Sequence, residues 1–404
     1  MHREVDSREA WQRLAIGVAL STIGGVGMWS VVVALPAVQA EFGVARGGAS
    51  LPYTLTMIGF GFGSIAMGKL SDRYGVVLPV VGSAILLCLG YLAAAAAPGL
   101  GGYTAAQGLV IGVAASATFA PLMAYVSLWF AKRRGIAIAI FASGNYIAGA
   151  FWPPIVAHFI ATSGWRATYV GIGVFVLLTM IPLALYLRGP VPHSDAADAL
   201  VPPVGTPATL GLTPRSLQAL LLIAGVACCV AMSMPQVHLV AYCSDLGYGP
   251  ARGAEMLSLM LACGIVSRLV FGVVCDRIGG LRTLIISSTL QGVSLLFFLP
   301  FDGLVSLYVI SALFGLAQGG IVPTYAIVIR EYFPAREAGV RVSAVITATL
   351  FGMALGGYGS GVIFDVTGSY KAAFVNGLLW NALNVSIAFF LLRRSLPRRA
   401  QALA

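Results

Sequence analysis

The sequence predicts an all-α membrane protein, with twelve transmembrane helices in two six-helix, pseudo-symmetric halves. Three observations carry that prediction: an apolar composition, twelve long apolar runs, and short motifs recurring at a nearly fixed offset. Of the 404 residues, 59% are hydrophobic and only 9% charged, with a mean hydropathy of +0.91. Soluble domains carry about 25% charged residues, so a water-soluble globular chain is excluded. A membrane β-barrel would need polar residues alternating toward its lumen, which this composition does not supply.

A helix that crosses a bilayer needs about 20 apolar residues. Runs of that length fall at 14–38, 50–68, 76–97, 103–129, 136–160 and 167–187, then at 217–242, 254–275, 281–300, 304–329, 340–364 and 372–392. The one long polar stretch between them is rich in proline (Pro190, Pro192, Pro202, Pro203, Pro207 and Pro214) and reads as a flexible linker. The expected organisation is a first half over 1–188, a cytoplasmic linker over 189–216 and a second half over 217–404. Glu4, Asp6 and Glu9 precede the first run, which lacks the pattern of a cleaved signal, so that helix is expected to be retained.

Basic residues set the orientation. With the amino terminus cytoplasmic, that face holds Arg3, Arg8, Arg13, Lys69, Arg73, Lys132, Arg133, Arg134, Arg188 and Arg215. It also holds Arg277, Arg282, Arg330, Arg336, Arg341, Arg393, Arg394, Arg398 and Arg399. The opposite face has Arg46, Arg166, Arg252 and Lys371. Both termini are therefore expected in the cytoplasm, in a plasma membrane of the bacterial inner-membrane kind. The net charge of +10 becomes a topology signal, and no nucleic-acid partner is implied. Cys88, Cys228, Cys229, Cys243, Cys263 and Cys275 lie in or beside apolar runs without CxxC spacing, so neither a metal nor another cofactor is expected.

Internal repeats follow. Gly68-Lys-Leu-Ser-Asp-Arg-Tyr-Gly75 recurs as Gly272-Val-Val-Cys-Asp-Arg-Ile-Gly279, with Asp72 and Asp276 204 residues apart. Trp129-Phe-Ala-Lys-Arg-Arg-Gly135 and Phe333-Pro-Ala-Arg-Glu-Ala-Gly339 share that offset, and Trp165–Tyr169 is echoed by Tyr370–Phe374 at 205. Parallel repeats of this kind place a substrate site at their interface, near the bilayer midplane.

The paired loops resemble the signature of the major facilitator superfamily of secondary transporters, and the resemblance covers essentially the whole chain. In the loops, glycines allow close helix approach, while Asp72, Arg73, Asp276 and Arg277 are read as gating or assembly charges. Val76 and Val77 stand where the family pattern has basic residues. Within the superfamily, Ser267-Arg268-Leu-Val-Phe-Gly272-Val-Val-Cys-Asp276-Arg277 is similar to the monocarboxylate transporters and the related oxalate:formate antiporter. In those families an arginine four residues before the loop glycine holds the substrate carboxylate, and Arg268 matches that position.

Arg268 is also the one basic residue of twenty-four that topology leaves unexplained. It lies about 21 Å along a helix starting near Ala254, at 1.5 Å per residue. A guanidinium there costs on the order of 3 kcal/mol, tolerable facing a wet cavity or a partner. A bidentate carboxylate suits its planar fork; the alternative is an ion pair with Asp365. Its repeat partner is Ser64, so the cation breaks the symmetry. The antiporter's helix 11 lysine has no counterpart in Ser343–Leu350, and one buried charge favours a monocarboxylate over a dicarboxylate.

The monocarboxylate transporters' proton pair does not carry over, because Gly264 occupies the acidic position and helix 1 has no lysine. His238 is the remaining candidate for proton coupling, with a hydrogen-bonded histidine near the outer interface as the alternative, since Asp245 marks the helix end seven residues on. Asn145, Tyr125, Tyr146, Trp29, Tyr325, Tyr53 and Tyr358 are candidates to complete the substrate pocket. The glycine runs 59–63 and 356–361 read as close-packing surfaces rather than phosphate loops. The expected activity is secondary active transport of a small, lactate- or pyruvate-like monocarboxylate, proton-coupled and by alternating access, in a monomer. The alternatives are an organic-anion exchanger or an exporter of hydrophobic compounds. Neither a Walker loop nor a paired-carboxylate, HExxH or Ser/His constellation within the spans points to a pump or an enzyme.

Overall fold

The computed structural model describes residues 5–130, 133–189 and 206–402, and every regular element among them is helical. The first eight α-helices are α1 (Arg8–Gly24), α2 (Val26–Phe42), α3 (Arg46–Tyr74), α4 (Val77–Ala96), α5 (Leu100–Ala105), α6 (Val113–Ser116), α7 (Ala120–Ser127) and α8 (Arg134–Ala142). They continue as α9 (Gly144–Tyr186), α10 (Pro214–Asp245), α11 (Pro250–Ile278), α12 (Gly280–Phe297), α13 (Leu304–Gln318), α14 (Ile321–Tyr332), α15 (Ala335–Thr367) and α16 (Tyr370–Ala402). A π-helical stretch, Ala106–Gly112, joins α5 to α6, and a 3-10 turn, Pro207–Leu210, precedes α10. Residues 190–205, most of the expected linker, and Lys132 lie outside the described residues.

Ten stretches among the described residues are long and apolar enough to cross a membrane. One of them, Ile136–Tyr186, has 51 residues, about 77 Å of helix against a hydrocarbon core about 30 Å thick. It turns at Gly164, where φ is 78°, a left-handed conformation that glycine adopts without steric cost. The 29-residue α3 falls outside the ten, its apolar side chains being interspersed with Gly, Ser and Thr. The helices are consistent with twelve spans without fixing that count. Large apolar side chains stand open along them, Leu178 being 67% and Val305 76% exposed. So much open apolar surface would be a liability in water and fits a lipid solvent.

Several runs expected as single helices are interrupted. The first bends at Gly25, between α1 and α2, and the fourth passes through the π stretch and breaks again between Ser116 and Ala120. The tenth breaks at Gly319 and Gly320. Carried by the repeat offset of 204, the break at 117–119 would fall at 321–323, directly beside the one at Gly319 and Gly320. Left-handed glycines pair in the same way: Gly43 (φ 60°) with Gly247 (φ 82°), Gly75 (79°) with Gly279 (83°), and Gly164 (78°) with Gly368 (65°). The duplication read from three motifs is thus repeated in backbone conformation.

The chain groups into two compact units: Met1–Ala199 with Val240–Ser258, and Leu200–Leu239 with Leu259–Ala404. Inside the first, Tyr91, Tyr103, Trp165 and Tyr169 form an edge-to-face aromatic cluster, with a 2.7 Å hydrogen bond between the Tyr103 and Tyr169 hydroxyls. Inside the second, Leu217, Leu221, Ile321, Ile329, Phe333 and Leu391 anchor a buried core drawn from five helices and their flanks.

Candidate functional site

Arg268 sits on α11, half-buried, and its Nε–H points to the Gly319 carbonyl at 3.4 Å. Glycines make this approach possible. A Cβ on Gly319 would fall well inside contact distance of the Gly264 carbonyl, and one on Gly315 would meet Met260 O. The α11 backbone therefore presses directly on the α13–α14 junction, where the helix is discontinuous. Two further polar groups are local to it. Gln318, immediately before Gly319, accepts from Gln236 Nε2 of α10 at 2.8 Å. Among the described residues, Gln318 Nε2 and Ser267 Oγ are buried with no hydrogen-bond partner. An unsatisfied buried donor costs about 1–3 kcal/mol, so unpaired donors on the arginine's sequence neighbour Ser267 and on the neighbour of Gly319 are a feature a ligand would relieve. Sequence alone offers Gln318 as a polar residue that could complete a pocket near Pro323, whereas nothing singles out Ser267, because serine is ordinary in apolar helices.

His238 lies on α10, fully buried, with both ring nitrogens engaged. Nε2 is 2.8 Å from the Gly357 carbonyl, which can only accept, so Nε2 carries the hydrogen. Nδ1 then accepts from the Tyr370 hydroxyl at 3.3 Å. The imidazole thereby ties α10 to α15 and α16.

The pocket candidates separate by environment. Tyr125 accepts from Arg13 and donates to Leu187 O (3.3 Å), within a cluster around Arg13. The Tyr325 hydroxyl donates to Asn384 Oδ1 at 2.6 Å within the second unit's core. Trp29 on α2, Tyr53 on α3 and Tyr146 on α9 are buried, Asn145 is half-buried, and Tyr358 on α15 is exposed. The indole N–H of Trp29 is buried without a partner among the described residues.

The signature loops also differ in detail. A Cβ at Gly68 or Gly272 would meet open space, so these glycines do not serve close helix approach. The glycines that close the loops, Gly75 and Gly279, supply the left-handed turn instead. Asp72, Arg73, Asp276 and Arg277 are exposed. Across the second loop the helix end is held by Glu331 of α14, whose Oε1 accepts from the Gly280 N–H at 2.8 Å, a carboxylate at a helix amino terminus. Among the glycine runs, Gly59, Gly63 and Gly356 do pack tightly, whereas Gly359 has open space.

An all-helical duplicated fold, lipid-facing apolar surfaces and an arginine inside a span define an integral membrane protein of transporter type. The profile of the Major Facilitator Superfamily matches residues 17–271 and 245–403, and the chain belongs to that superfamily. Monocarboxylate transporter 13 of Rattus norvegicus is 30% identical over 322 residues, covering 78% of this chain and 73% of the relative. The Agnestins efflux protein AgnL12 of Paecilomyces divaricatus is 24% identical over 283 residues, 69% of this chain and 63% of the relative. Among solved structures, a bacterial homologue of the human lysosomal transporter Spinster matches with a TM-score of 0.72 at 13% identity, covering 98% of both chains. A point mutant of the nucleoside transporter NupG matches at 0.73 and 14% identity, covering 95% of this chain and 99% of that one. These structural likenesses show the fold, and fold and relatives alike are those of transporters, not enzymes.

Proposed function

We propose that this protein is a secondary transporter of small monocarboxylates, lactate- or pyruvate-like, working by proton-coupled symport and alternating access. The observation that carries the proposal is Arg268: a guanidinium within a span, beside a helix discontinuity, with buried unpaired donors on Ser267, its neighbour in sequence, and on Gln318, the neighbour of the Gly319 whose carbonyl it meets. A carboxylate matches the arginine's planar fork and neutralises its charge without a second buried cation. The relative named as a monocarboxylate transporter supports the same substrate class. Trp29, Tyr53, Tyr125, Asn145, Tyr146, Tyr325 and Tyr358 are the proposed pocket residues, and His238 the proposed proton carrier. The exposed Asp72, Arg73, Asp276 and Arg277 are the proposed gating charges.

The proposal includes twelve spans, halves over 1–188 and 217–404 joined by a cytoplasmic linker, and a monomer in the bacterial inner membrane. Both termini are cytoplasmic, on the strength of the basic-residue asymmetry.

Uptake of radiolabelled lactate, pyruvate and longer acids into proteoliposomes, with and without an inward-acid gradient, tests the function. Accumulation that is lost in Arg268→Gln is the expected result. Failure of every carboxylate to accumulate or exchange rejects the reading. A second reading, export of hydrophobic compounds, is supported by the efflux relatives such as AgnL12. Transport of hydrophobic compounds with full activity in Arg268→Gln would favour it.

A further inference from the structure

Arg46 and Asp245 stand at helix ends that disfavour them. Arg46 is the first residue of α3, a cation at the positive end of a helix dipole, and Asp245 is the last of α10, an anion at the negative end. Local helix energetics oppose both residues, so their meeting is what accounts for them. Arg46 Nη2 lies 3.0 Å from both Asp245 Oδ1 and Oδ2. The pair is asymmetric: the Arg46 side chain is 8% exposed and that of Asp245 37%. It lines a cavity of about 380 Å³ together with Gln39, Gly43, Val44 and Ser244, all within the first unit. That volume is at the lower end of the range for small-molecule sites, about 300–1,000 Å³.

We infer that Arg46 is an access site for the transported anion, at which an incoming monocarboxylate takes the place of Asp245. The exchange is between like groups. A substrate carboxylate offers Nη2 the same two oxygens that Asp245 offers now, so the buried guanidinium keeps a counter-charge throughout. The displaced Asp245 carboxylate is more than one-third exposed and can be rehydrated, whereas Arg46 cannot. Arrival of the anion thereby unclips the end of α10 from the start of α3. On the proposed orientation this cavity lies on the side opposite the termini. The inference rests on the monocarboxylate reading and extends it to a second anion site besides Arg268.

The test is zero-trans uptake of labelled lactate from the face bearing Arg46, in wild type, Asp245→Asn, Arg46→Gln and Arg46→Lys. Removing the competitor in Asp245→Asn is expected to lower KM, and Arg46→Gln to raise it, each by roughly tenfold, the scale of one hydrogen bond to a charged group. Arg46→Lys, keeping the charge and losing the fork, is expected to fall between wild type and Arg46→Gln. A purely structural latch is broken equally by both single changes, so KM shifts in the same direction, or no shift, overturn the inference. Should Arg46→Gln not fold, Asp245→Asn decides alone, because an unchanged or higher KM overturns it and a lower one upholds it. A wild-type protein that carries no carboxylate rejects the transport reading and this inference together. Wild-type uptake with KM unmoved in Asp245→Asn rejects this inference only.

Discussion

At Arg13 the guanidinium is bound on several sides. It pairs with Glu9 Oε1 at 2.8 Å, donates to Tyr125 Oη and to Leu187 O (3.0 Å), and lies 4.3 Å over the Trp129 ring. A buried cation so completely met by its own protein has a structural role, tying α1 to the end of α9. Arg13→Ala is expected to lower stability by roughly 2–3 kcal/mol, because it leaves acceptors unpaired; a fall in the thermal midpoint of the detergent-solubilised protein checks this. Arg268 stands differently, against the edge of a helix break. Arg268→Lys keeps the charge while losing the bidentate geometry. We expect a KM for lactate raised by at least about tenfold with the thermal midpoint unmoved. An unchanged KM would show that point charge alone suffices. The repeat partner of Arg268 is Ser64, whose Oγ donates to its own helix at Phe60 O, 2.8 Å away, so the two halves use the same position for different ends.

Among the helices, glycines divide by what stands opposite them. Gly319 faces the α11 backbone at Gly264, and backbone cannot yield to a new Cβ, so Gly319→Ala forces α14 away from α11. It is expected to cost about 1–3 kcal/mol by overpacking and to impair transport by moving the carbonyl that Arg268 contacts. Gly68 lies in α3 with nothing within 4 Å of the added carbon. Gly68→Ala is expected to gain about 0.5–1 kcal/mol of helix stability. Comparing thermal midpoints of the two variants checks both, and equal effects would refute the division. Composition and local period treat the two glycines alike; only the opposing helix separates them.

Across the whole molecule, coupling to protons would be visible as accumulation against a gradient. With His238 as carrier, His238→Ala is expected to abolish lactate accumulation under an inward-acid gradient while sparing lactate–lactate exchange. Unchanged accumulation removes His238 from that role and leaves it as the tie among α10, α15 and α16 that its hydrogen bonds to Gly357 and Tyr370 describe. The helical membrane class, the duplication and the singular position of Arg268 were legible in the sequence. They depend on apolar run length, on motif spacing and on the cost of a charge in lipid, all properties of the local chain. The duplicated halves even close their helices with left-handed glycines at a common offset, at Gly43 and Gly247 as at Gly75 and Gly279. Tertiary structure alone decided that Tyr125 serves Arg13 and Tyr325 serves Asn384. It also decided that Arg46, which topology counts only as one more cation on the far face, meets Asp245 almost two hundred positions along the chain. The physical reason is that a side chain's partner is set by which helices come together, and hydrogen bonds between residues so distant leave no trace in local composition or period.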